Sequence, residues 1–293
     1  MIGAVAATRG LVVLSPHLDD AVLSLGASIA ARVAAGEPVE VWTAFTRAPS
    51  PGTVPRRLRR FADYNVRVAE DDRALALLGA RGRRLDLPER VWRTPPARGL
   101  RAAFRTPPAR SGFEQLGTVE DVVAEALARP GTRVLAPLGV GHHVDHVEVA
   151  LAALTVAQRL GTLERVGFYE DFYALGNGCR HRHPVTRADT GSFWRRLADA
   201  PGWAGPLEGL VLAGTAAVAA GPSLDAYVPD WPALVWHART HPVDPPSQDR
   251  QLAAVALYRS QTPALGGMRQ LGAIVRRAHR RRGGDVIWSA TPR

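Results

Sequence analysis

The feature that most constrains this fold is a repeated order of short apolar run, polar loop and longer segment with helical periodicity. Residues 10–15 (GLVVLS) predict a buried strand, and residues 21–35 predict a helix that ends at Gly36. Residues 39–46 predict the next strand, and residues 66–79 predict the next helix. Strands and helices that alternate through short loops indicate a parallel sheet covered by helices on both faces.

The same order returns in the middle of the chain. A weaker strand is predicted at residues 84–87, and Thr118 opens a helix with a pattern similar to a capping box. Residues 133–137 (RVLAP) predict a strand, and residues 146–160 predict a helix after a glycine-rich loop. We therefore expect an α/β fold with a mostly parallel sheet, whose active site lies at the carboxyl edge of the strands.

No clean boundary divides the chain, so we expect a single domain over residues 1–293. A loop excursion is predicted at residues 93–113, which contain RTPPAR twice, because Pro-Pro continues neither a helix nor a central strand. The repeat is interpreted as a duplication that drifted without function or, alternatively, as a mobile rim over the active site. Residues 175–293 are predicted to be less regular, with an irregular stretch at 221–246 and helices at 249–282.

The chain contains no lysine: all 37 basic residues are arginine, and the formal net charge is +10. This excludes a Walker A phosphate loop, a pyridoxal Schiff base and a Ser-x-x-Lys acyl enzyme. Because arginine stays charged near neutral pH, proton transfer must fall to other side chains. The lone Cys179 excludes an intramolecular disulfide and fits a reducing compartment. No run approaches the roughly 20 apolar residues that span a bilayer, so we expect a cytoplasmic protein without a membrane partner.

Two predicted strands are each followed by a loop that carries histidine and aspartate. These residues are His17, Asp19 and Asp20 in the first loop, and His142, His143, Asp145 and His146 in the second. Because loops after parallel strands gather at one edge of the sheet, the two sets can meet over one crevice. Histidine and carboxylate ligands suit Zn²⁺, and three protein ligands with one open position are typical of catalytic sites. Neighbouring side chains diverge in a tight loop, so one of the two vicinal aspartates can hold the metal while the other takes a proton from its bound water.

Each loop alone also has a simple structural explanation. Asp20 could cap the helix that begins at Ala21, and His142 and His143 could be ordinary surface residues. Two such loops in the same strand–loop–helix context are much harder to explain without a function. The sequence therefore predicts a metal site.

The segments PHLDD (16–20) and HVDH (143–146) resemble the paired signatures of the LmbE-like (PIG-L type) zinc-dependent N-deacetylases. Supporting similarities lie in Arg67, Glu70 and Ala74 of a helix, in YEDF at 169–172 and in YRSQ at 258–261. The chain departs from the family pattern at Leu18 and Val144, where proline often follows the histidine, but these changes leave the chemical groups intact.

This resemblance implies a Rossmann-like fold and the hydrolysis of an N-acyl, usually N-acetyl, group on an amino sugar or its conjugate. It implies that His17, Asp20 and His146 bind Zn²⁺, with Fe²⁺ as another candidate metal, and that Asp19 is the general base. It also implies that His143 is the positively charged partner of the developing oxyanion and the acid for the leaving amine, with Asp145 orienting it.

The expected substrate is a small N-acylated amino sugar or glycoside, including natural-product glycosides. Relatives carry an acidic residue near the substrate at a place where this chain offers Glu89, with Asp86 nearby. Arg67 and Arg93 follow or flank predicted strands and are further candidates for substrate binding. The sequence leaves a homo-oligomer open.

Two other functions compete with this interpretation. A two-His-one-carboxylate pattern also fits a mononuclear iron oxygenase, although such enzymes usually have an all-β barrel. The arginine clusters at 56–60 and 276–282 would suit a non-catalytic module that binds nucleic acid or phosphorylated partners. No recognisable nucleic-acid motif accompanies them, so nucleic acid is the less favoured partner.

Overall fold

A seven-stranded sheet forms the centre of the computed structural model, which describes residues 10–49, 62–93, 100–172, 177–189 and 221–293. The strand order is β3-β2-β1-β4-β5-β7-β6. The strands are β1 (Leu11–Ser15), β2 (Val39–Arg47), β3 (Arg81–Pro88), β4 (Arg133–Pro137), β5 (Val166–Tyr169), β6 (Leu234–His241) and β7 (Asp285–Pro292). The first five strands pair in parallel, and β7 is antiparallel to both β5 and β6. The predicted mostly parallel sheet is confirmed.

Helices cover both faces of this sheet. They are α1 (Asp20–Ala34), α2 (Tyr64–Leu78), α3 (Leu100–Ala103), α4 (Leu116–Ala128), α5 (Val144–Leu160), α6 (Asn177–Arg182), α7 (Pro245–Val255) and α8 (Met268–Arg282). Alternate residues of β1 point to opposite faces, as the two-residue period of a strand requires. Val13 packs in one core with α1, α2, α7 and α8, whereas Val12 packs in the other with α4 and α5.

The position of β1 in the sheet decides where a ligand can bind. β1 pairs with β2 on one side and with β4 on the other. The sheet therefore extends from β1 through β2 to β3 in one direction and through β4 to β5 in the other. Such a reversal of strand order opens a crevice at the carboxyl ends of the strands. The loops after β1 and β4, which carry the histidines and aspartates, meet at this crevice.

One stretch of the described C-terminal residues is more regular than its sequence predicts. Residues 221–246 were predicted to be irregular, but β6 lies within them and pairs with β7 along its whole length. Much of β6 is exposed and contains His237 and Arg239, so it lacks the apolar run that marks a buried strand. The helices predicted at 249–282 are present as α7 and α8.

The second RTPPAR copy, at 105–110, packs against the segment 221–227. The Thr106 hydroxyl donates to the Pro222 carbonyl at 2.8 Å, and the Tyr227 hydroxyl donates to the Pro107 carbonyl at 2.5 Å. All of the first copy except Arg93, and the arginine cluster at 56–60, lie outside the described residues. None of the helices in the described ranges is long and apolar enough to cross a membrane.

Candidate metal centre

Short hydrogen bonds and positive φ angles shape the two loops. In the first, the Ser15 hydroxyl donates to the His17 carbonyl at 2.6 Å and accepts from the Ala21 amide at 3.0 Å, which folds the loop over the start of α1. In the second, Gly139 has φ +77°, and a Cβ atom there would lie only 3.2 Å from the backbone of Val147. The glycine thus lets the loop pass close to α5, at whose N-terminus His143 stands.

Three side-chain atoms, from the loop after β1 and from the first turns of α1 and α5, converge on one point. His17 Nδ1 lies 2.9 Å from Asp20 Oδ2, His146 Nε2 lies 3.1 Å from the same oxygen, and the two nitrogens are 3.3 Å apart. A tetrahedral ion with bonds of about 2.0–2.1 Å holds its ligand atoms about 3.3 Å apart, so these three atoms fit the ligand set of one zinc ion. His143 also lies close, with a ligand atom within 4.8 Å of those of His17 and His146.

The outward-facing nitrogen of each imidazole meets a buried carboxylate. His17 Nε2 lies 3.1 Å from Asp145 Oδ2, and His146 Nδ1 lies 2.5 Å from Asp171 Oδ1. Asp171 is itself held by the Val140 amide, which donates to its other oxygen at 2.7 Å. Carboxylates in these positions orient metal-binding histidines and select their tautomer. We call His17, Asp20, Asp145, His146 and Asp171 the metal-site cluster.

The charges of this cluster favour a cation at its centre. Burial lowers the pKa of both imidazoles, but Glu89 and Asp20 raise the pKa of His17 well above its usual value. Burial also lowers the pKa of His146, but Asp20 and Asp171 raise it to about 9. Burial raises the pKa of Asp20, yet His146 and His17 hold it well below its usual value. A divalent ion can take the place of the protons that the carboxylates attract to the rings.

The two vicinal aspartates have different surroundings, as the loop pattern predicts. The Asp20 carboxylate accepts from the His17 amide at 2.9 Å and faces the histidines, so it does not serve as the simple helix cap that the sequence left open. Asp19 stands at the N-cap position of α1 but accepts no capping hydrogen bond in the described chain. Burial and the charge of Asp20 raise the pKa of Asp19 to about 6, against the opposing charges of Arg67 and His17.

His143 packs beside the metal-site cluster among aromatic rings. Its ring centroid lies 5.0 Å from those of His17, His146 and Phe104. Burial lowers the pKa of His143 well below its usual value, and the charge of Asp145 opposes this effect. The resemblance implies a positively charged His143, whereas these surroundings favour the neutral imidazole, because the ring is buried beside two other histidines.

Two of the four predicted substrate-binding residues lie together at the edge of the cluster. Arg67 Nη1 lies 3.3 Å from Glu89 Oε2, and the Tyr64 hydroxyl donates to the same carboxylate oxygen. The other oxygen of Glu89 lies 3.9 Å from His17 Nε2. This arrangement holds a carboxylate next to the metal-site cluster.

The other two predicted substrate-binding residues lie elsewhere. Asp86 is exposed on β3 with φ +54°, its amide donates to the Thr46 hydroxyl at 3.0 Å, and no contact in the described chain joins it to the histidines. Arg93 is buried behind Asp145, with its guanidinium between that carboxylate and Glu148. This position differs from the predicted contact with substrate, because Arg93 has almost no exposed surface.

A second group of buried carboxylates lies on α2. The Glu70 carboxylate accepts from the Ser260 amide at 3.0 Å and from its hydroxyl at 2.6 Å. The Asp71 carboxylate accepts from the Tyr258 hydroxyl at 2.8 Å and from Arg84 Nη2 at 2.9 Å. We call these five residues the Asp71 cluster, which joins α2 to the YRSQ segment.

Asp171 and Glu148 are two buried carboxylates for which the sequence predicts no role, although Asp171 lies in the YEDF segment. A carboxylate shortly after β5, at the same sheet edge as the two loops, was the available signal for Asp171. Glu148 lies on α5 three residues after Asp145, and its carboxylate accepts from the Gln115 amide at 2.6 Å. Its burial in the interior was not visible from the pattern of the sequence.

The segments PHLDD and HVDH both lie in the part of the chain that matches a known family. The family described as PIG-L, GlcNAc-PI de-N-acetylase, matches residues 12–157. The 2'-N-acetylparomamine deacetylase of Streptomyces fradiae is 35% identical over 181 residues, or 57% of this chain, and the match spans only 59% of that relative's length.

Solved structures of deacetylases share the fold. A deacetylase from the biosynthesis pathway of teicoplanin, in a complex with bog, has a TM-score of 0.66 at 21% identity, over 97% of this chain and 98% of that one. A structure described as the zinc-inhibited form of teicoplanin deacetylase has a TM-score of 0.63 at 20% identity, with the same two shares of 97% and 98%. The resemblance predicted from the two loops is confirmed: the chain belongs to the PIG-L (LmbE-like) family.

Proposed function

We propose that this protein is a zinc-dependent hydrolase that removes an N-acetyl group from an amino sugar of a natural-product glycoside. The observation that carries the proposal is the convergence of His17 Nδ1, Asp20 Oδ2 and His146 Nε2 within 2.9–3.3 Å of one another. Two nitrogens and one carboxylate oxygen are a donor set that zinc takes in hydrolases, with a further position left for water and substrate.

When bound there, the metal would lower the pKa of water and polarise the amide carbonyl. The ligand set also suits Fe²⁺, so metal analysis of the purified protein decides between the two. One structure of the teicoplanin deacetylase is described as a zinc-inhibited form, so zinc acts on that relative.

Asp19 is the residue we assign to proton transfer. It adjoins Asp20 but accepts no capping bond from α1 in the described chain, so its carboxylate is available to take a proton from the attacking water. The same carboxyl group can then pass the proton to the amine nitrogen, which leaves poorly without one. A positioned acid or base of this kind contributes about 10²–10⁴-fold to the rate.

His143 is the residue we assign to the developing oxyanion. Its ring lies beside those of His17 and His146, which supports a position next to the reacting carbonyl. A neutral imidazole can still donate one N–H hydrogen bond, and such a fixed donor stabilises charge that appears only in the transition state. Because the neutral ring has no spare proton for the amine, the proton for the leaving group comes from Asp19 in this scheme.

Two relatives suggest the substrate class. The Streptomyces fradiae relative is named for an acetylated paromamine, and the teicoplanin enzyme for a glycosylated natural product. In this chain, the Glu89 carboxylate beside His17 is suited to accept hydrogen bonds from sugar hydroxyls next to the acetamido group. We therefore expect an N-acetylated amino sugar within an aminoglycoside or glycopeptide intermediate.

The test is release of acetate by metal-loaded protein from N-acetylated aminoglycosides and N-acetylglucosaminides, followed by mass spectrometry. We expect hydrolysis of at least one member of this panel, loss of activity with a chelator and recovery with zinc. Asp19→Asn should keep its metal and lose about 10²–10⁴-fold in rate. Full activity in Asp19→Asn would contradict the assigned mechanism, and a metal-loaded protein that hydrolyses none of these amides would contradict the function.

Neither competing function gains support. The mostly parallel sheet with helices on both faces differs from the all-β barrel that the iron oxygenase interpretation predicts. Many arginines contact carboxylates of the chain itself, for example Arg83 with Glu125 and Arg129 with Glu40, which weakens the argument for an arginine-rich binding module. A cytoplasmic location and a homo-oligomer remain predictions from the sequence.

A further inference from the structure

Arg93 lies directly behind the metal-site cluster, in the segment that follows β3. Its side chain is 2% exposed, and its guanidinium lies 2.7 Å from Asp145 Oδ1 and 3.0 Å from Glu148 Oε2. Its Nε–H donates to the Pro88 carbonyl at 2.9 Å, and its guanidinium carbon lies 4.8 Å from the centre of the Phe45 ring. These contacts on several sides hold the guanidinium in one position.

Both carboxylates that Arg93 contacts are fully buried. Asp145 and Glu148 have 0% exposure and lie three residues apart, on the same side of α5. Buried charges that lose their partner are strongly destabilising. The planar fork of an arginine can meet both carboxylates at once, whereas the single ammonium group of a lysine is a compact point charge.

Asp145 divides its two oxygens between Arg93 and the metal-site cluster. Its Oδ1 contacts Arg93, while its Oδ2 accepts from the Arg90 amide at 2.9 Å and lies 3.1 Å from His17 Nε2. A carboxylate that binds one ring nitrogen of a histidine fixes the tautomer and so directs the other nitrogen toward the metal. In His17 that other nitrogen is Nδ1, which faces Asp20.

We propose that Arg93 is a positioning residue, which holds Asp145 in the orientation that directs His17 Nδ1 into the metal-site cluster and thereby strengthens metal binding. The inference rests on the metal site of the proposed function. In it Arg93 acts through Asp145 and does not contact the substrate. If Arg93 only stabilised the contact between its own segment and α5, its loss would lower the stability of the fold and leave metal affinity unchanged.

The experiment compares Arg93→Met with Arg84→Met in the full chain. Arg84 is a matched control, because its Nη2 also contacts two carboxylates, Asp71 at 2.9 Å and Asp72 at 2.7 Å, outside the metal-site cluster. Cobalt(II) affinity is measured from the visible absorption of the cobalt-loaded protein, and the stability of the metal-free protein by denaturant unfolding. We expect cobalt affinity to fall about 10–100-fold in Arg93→Met and to stay within about 2-fold in Arg84→Met, although both variants lose stability.

Two further variants keep the test decisive if Arg93→Met does not fold. Arg93→Lys keeps a positive charge, and we expect it to fold with cobalt affinity between those of wild type and Arg93→Met. In an Asp145→Asn background, Arg93→Gln should cause little further loss of cobalt affinity, because Arg93 acts through Asp145.

Equal cobalt affinity in wild type, Arg93→Lys and Arg93→Met would overturn the inference and leave Arg93 with a purely structural role. A wild-type protein that binds no cobalt would overturn both the metal site and this inference. Failure of the proposed deacetylation is distinguishable from either result, because cobalt binding is measured without any substrate.

Discussion

The metal-site cluster and the Asp71 cluster both bury carboxylates, and both lie in segments that resemble the family's sequence patterns. In the Asp71 cluster each carboxylate is satisfied locally, since Glu70 accepts from Ser260 and Asp71 accepts from Tyr258 and Arg84. In the metal-site cluster the carboxylates meet imidazoles instead, and two ring nitrogens converge with one oxygen on a common point.

Buried carboxylates by themselves therefore do not indicate a catalytic site. What distinguishes the metal-site cluster is the orientation of the groups that can lose a proton and bind a cation. Hydroxyl and guanidinium partners, as in the Asp71 cluster, complete hydrogen bonds and leave no convergent ligand set. We therefore expect changes in the metal-site cluster to alter metal binding, and changes in the Asp71 cluster to alter stability alone.

The largest effect is expected from Asp20→Ala. This change removes the carboxylate oxygen that lies within 3.1 Å of both His17 Nδ1 and His146 Nε2, and it leaves two neutral ligands for a divalent ion. We expect a loss of zinc and cobalt affinity greater than the roughly 10–100-fold typical of carboxylates that only orient a ligand. Metal content after dialysis measures the loss.

Asp19→Asn is the matched control for Asp20→Ala, because it changes the neighbouring carboxylate in the same loop. It should retain one metal ion per chain while losing activity. If both variants retained the metal equally, the assignment of separate tasks to the two aspartates would be wrong.

A smaller effect on the same site is expected from Asp171→Asn. The Asp171 carboxylate lies 2.5 Å from His146 Nδ1 and accepts from the Val140 amide at 2.7 Å. An amide of the same shape would orient the ring less firmly and make it a weaker ligand, so we expect metal affinity to fall about 10–100-fold. A cobalt titration checks this, and unchanged affinity would place Asp171 with the structural carboxylates.

The pattern of the sequence predicts the place of the metal site because the two segments that form it follow strands of one sheet. His17 lies in the loop after β1, and Asp20 and His146 lie in the first turns of α1 and α5, which follow β1 and β4. Parallel strands carry such segments to one edge of the sheet. The fold class follows in the same way from the alternation of strands and helices. The order of the elements is enough to predict the fold class and the meeting of the two segments, whereas the choice of His17, Asp20 and His146 as ligands comes from the resemblance to the family.

The supporting residues depend on tertiary structure and could not be predicted with the same ease. Asp171 reaches His146 only because β5 pairs with β4, and Arg93 reaches Glu148 only because the segment after β3 contacts the start of α5. Asp86 and Glu89 are close in sequence, yet Asp86 is exposed whereas Glu89 lies beside His17. The backbone of Asp86 has a positive φ, which the sequence does not predict. The periodicity of the sequence does not predict these contacts.

We expect Asp71 to make the free energy of unfolding depend on pH. Burial raises the pKa of Asp71 to about 7, against the hydrogen bonds from Tyr258 and Arg84 that lower it. Between its ordinary pKa near 4 and this value, the unfolded chain has lost the proton that the folded protein keeps. The free energy of unfolding therefore falls as pH rises through this window, by at most about 1.4 kcal/mol per pH unit from this group.

Asp71→Asn removes that contribution, so its stability relative to wild type should improve as pH rises from 5 to 7. Urea unfolding at these two pH values measures the change, and Asp72→Asn is the control because the Asp72 side chain is 59% exposed. Parallel pH curves for wild type and Asp71→Asn would show that Asp71 is already ionised in the folded protein. Cobalt affinity should be the same in all three proteins.

The smallest effect is expected from Tyr258→Phe, which removes one hydroxyl from a buried side chain. The hydroxyl donates to Asp71 at 2.8 Å, and at pH 6 the partner is mostly the neutral acid, so the loss of this bond should cost about 1 kcal/mol of unfolding free energy. Burial and the charge of Asp71 raise the pKa of Tyr258 well above its usual value, and the charge of Asp19 adds to this effect, so the variant is a sensitive test of whether the two clusters are independent. If Tyr258→Phe lowered cobalt affinity as well as stability, the Asp71 cluster would be part of the support of the metal site rather than an independent structural element.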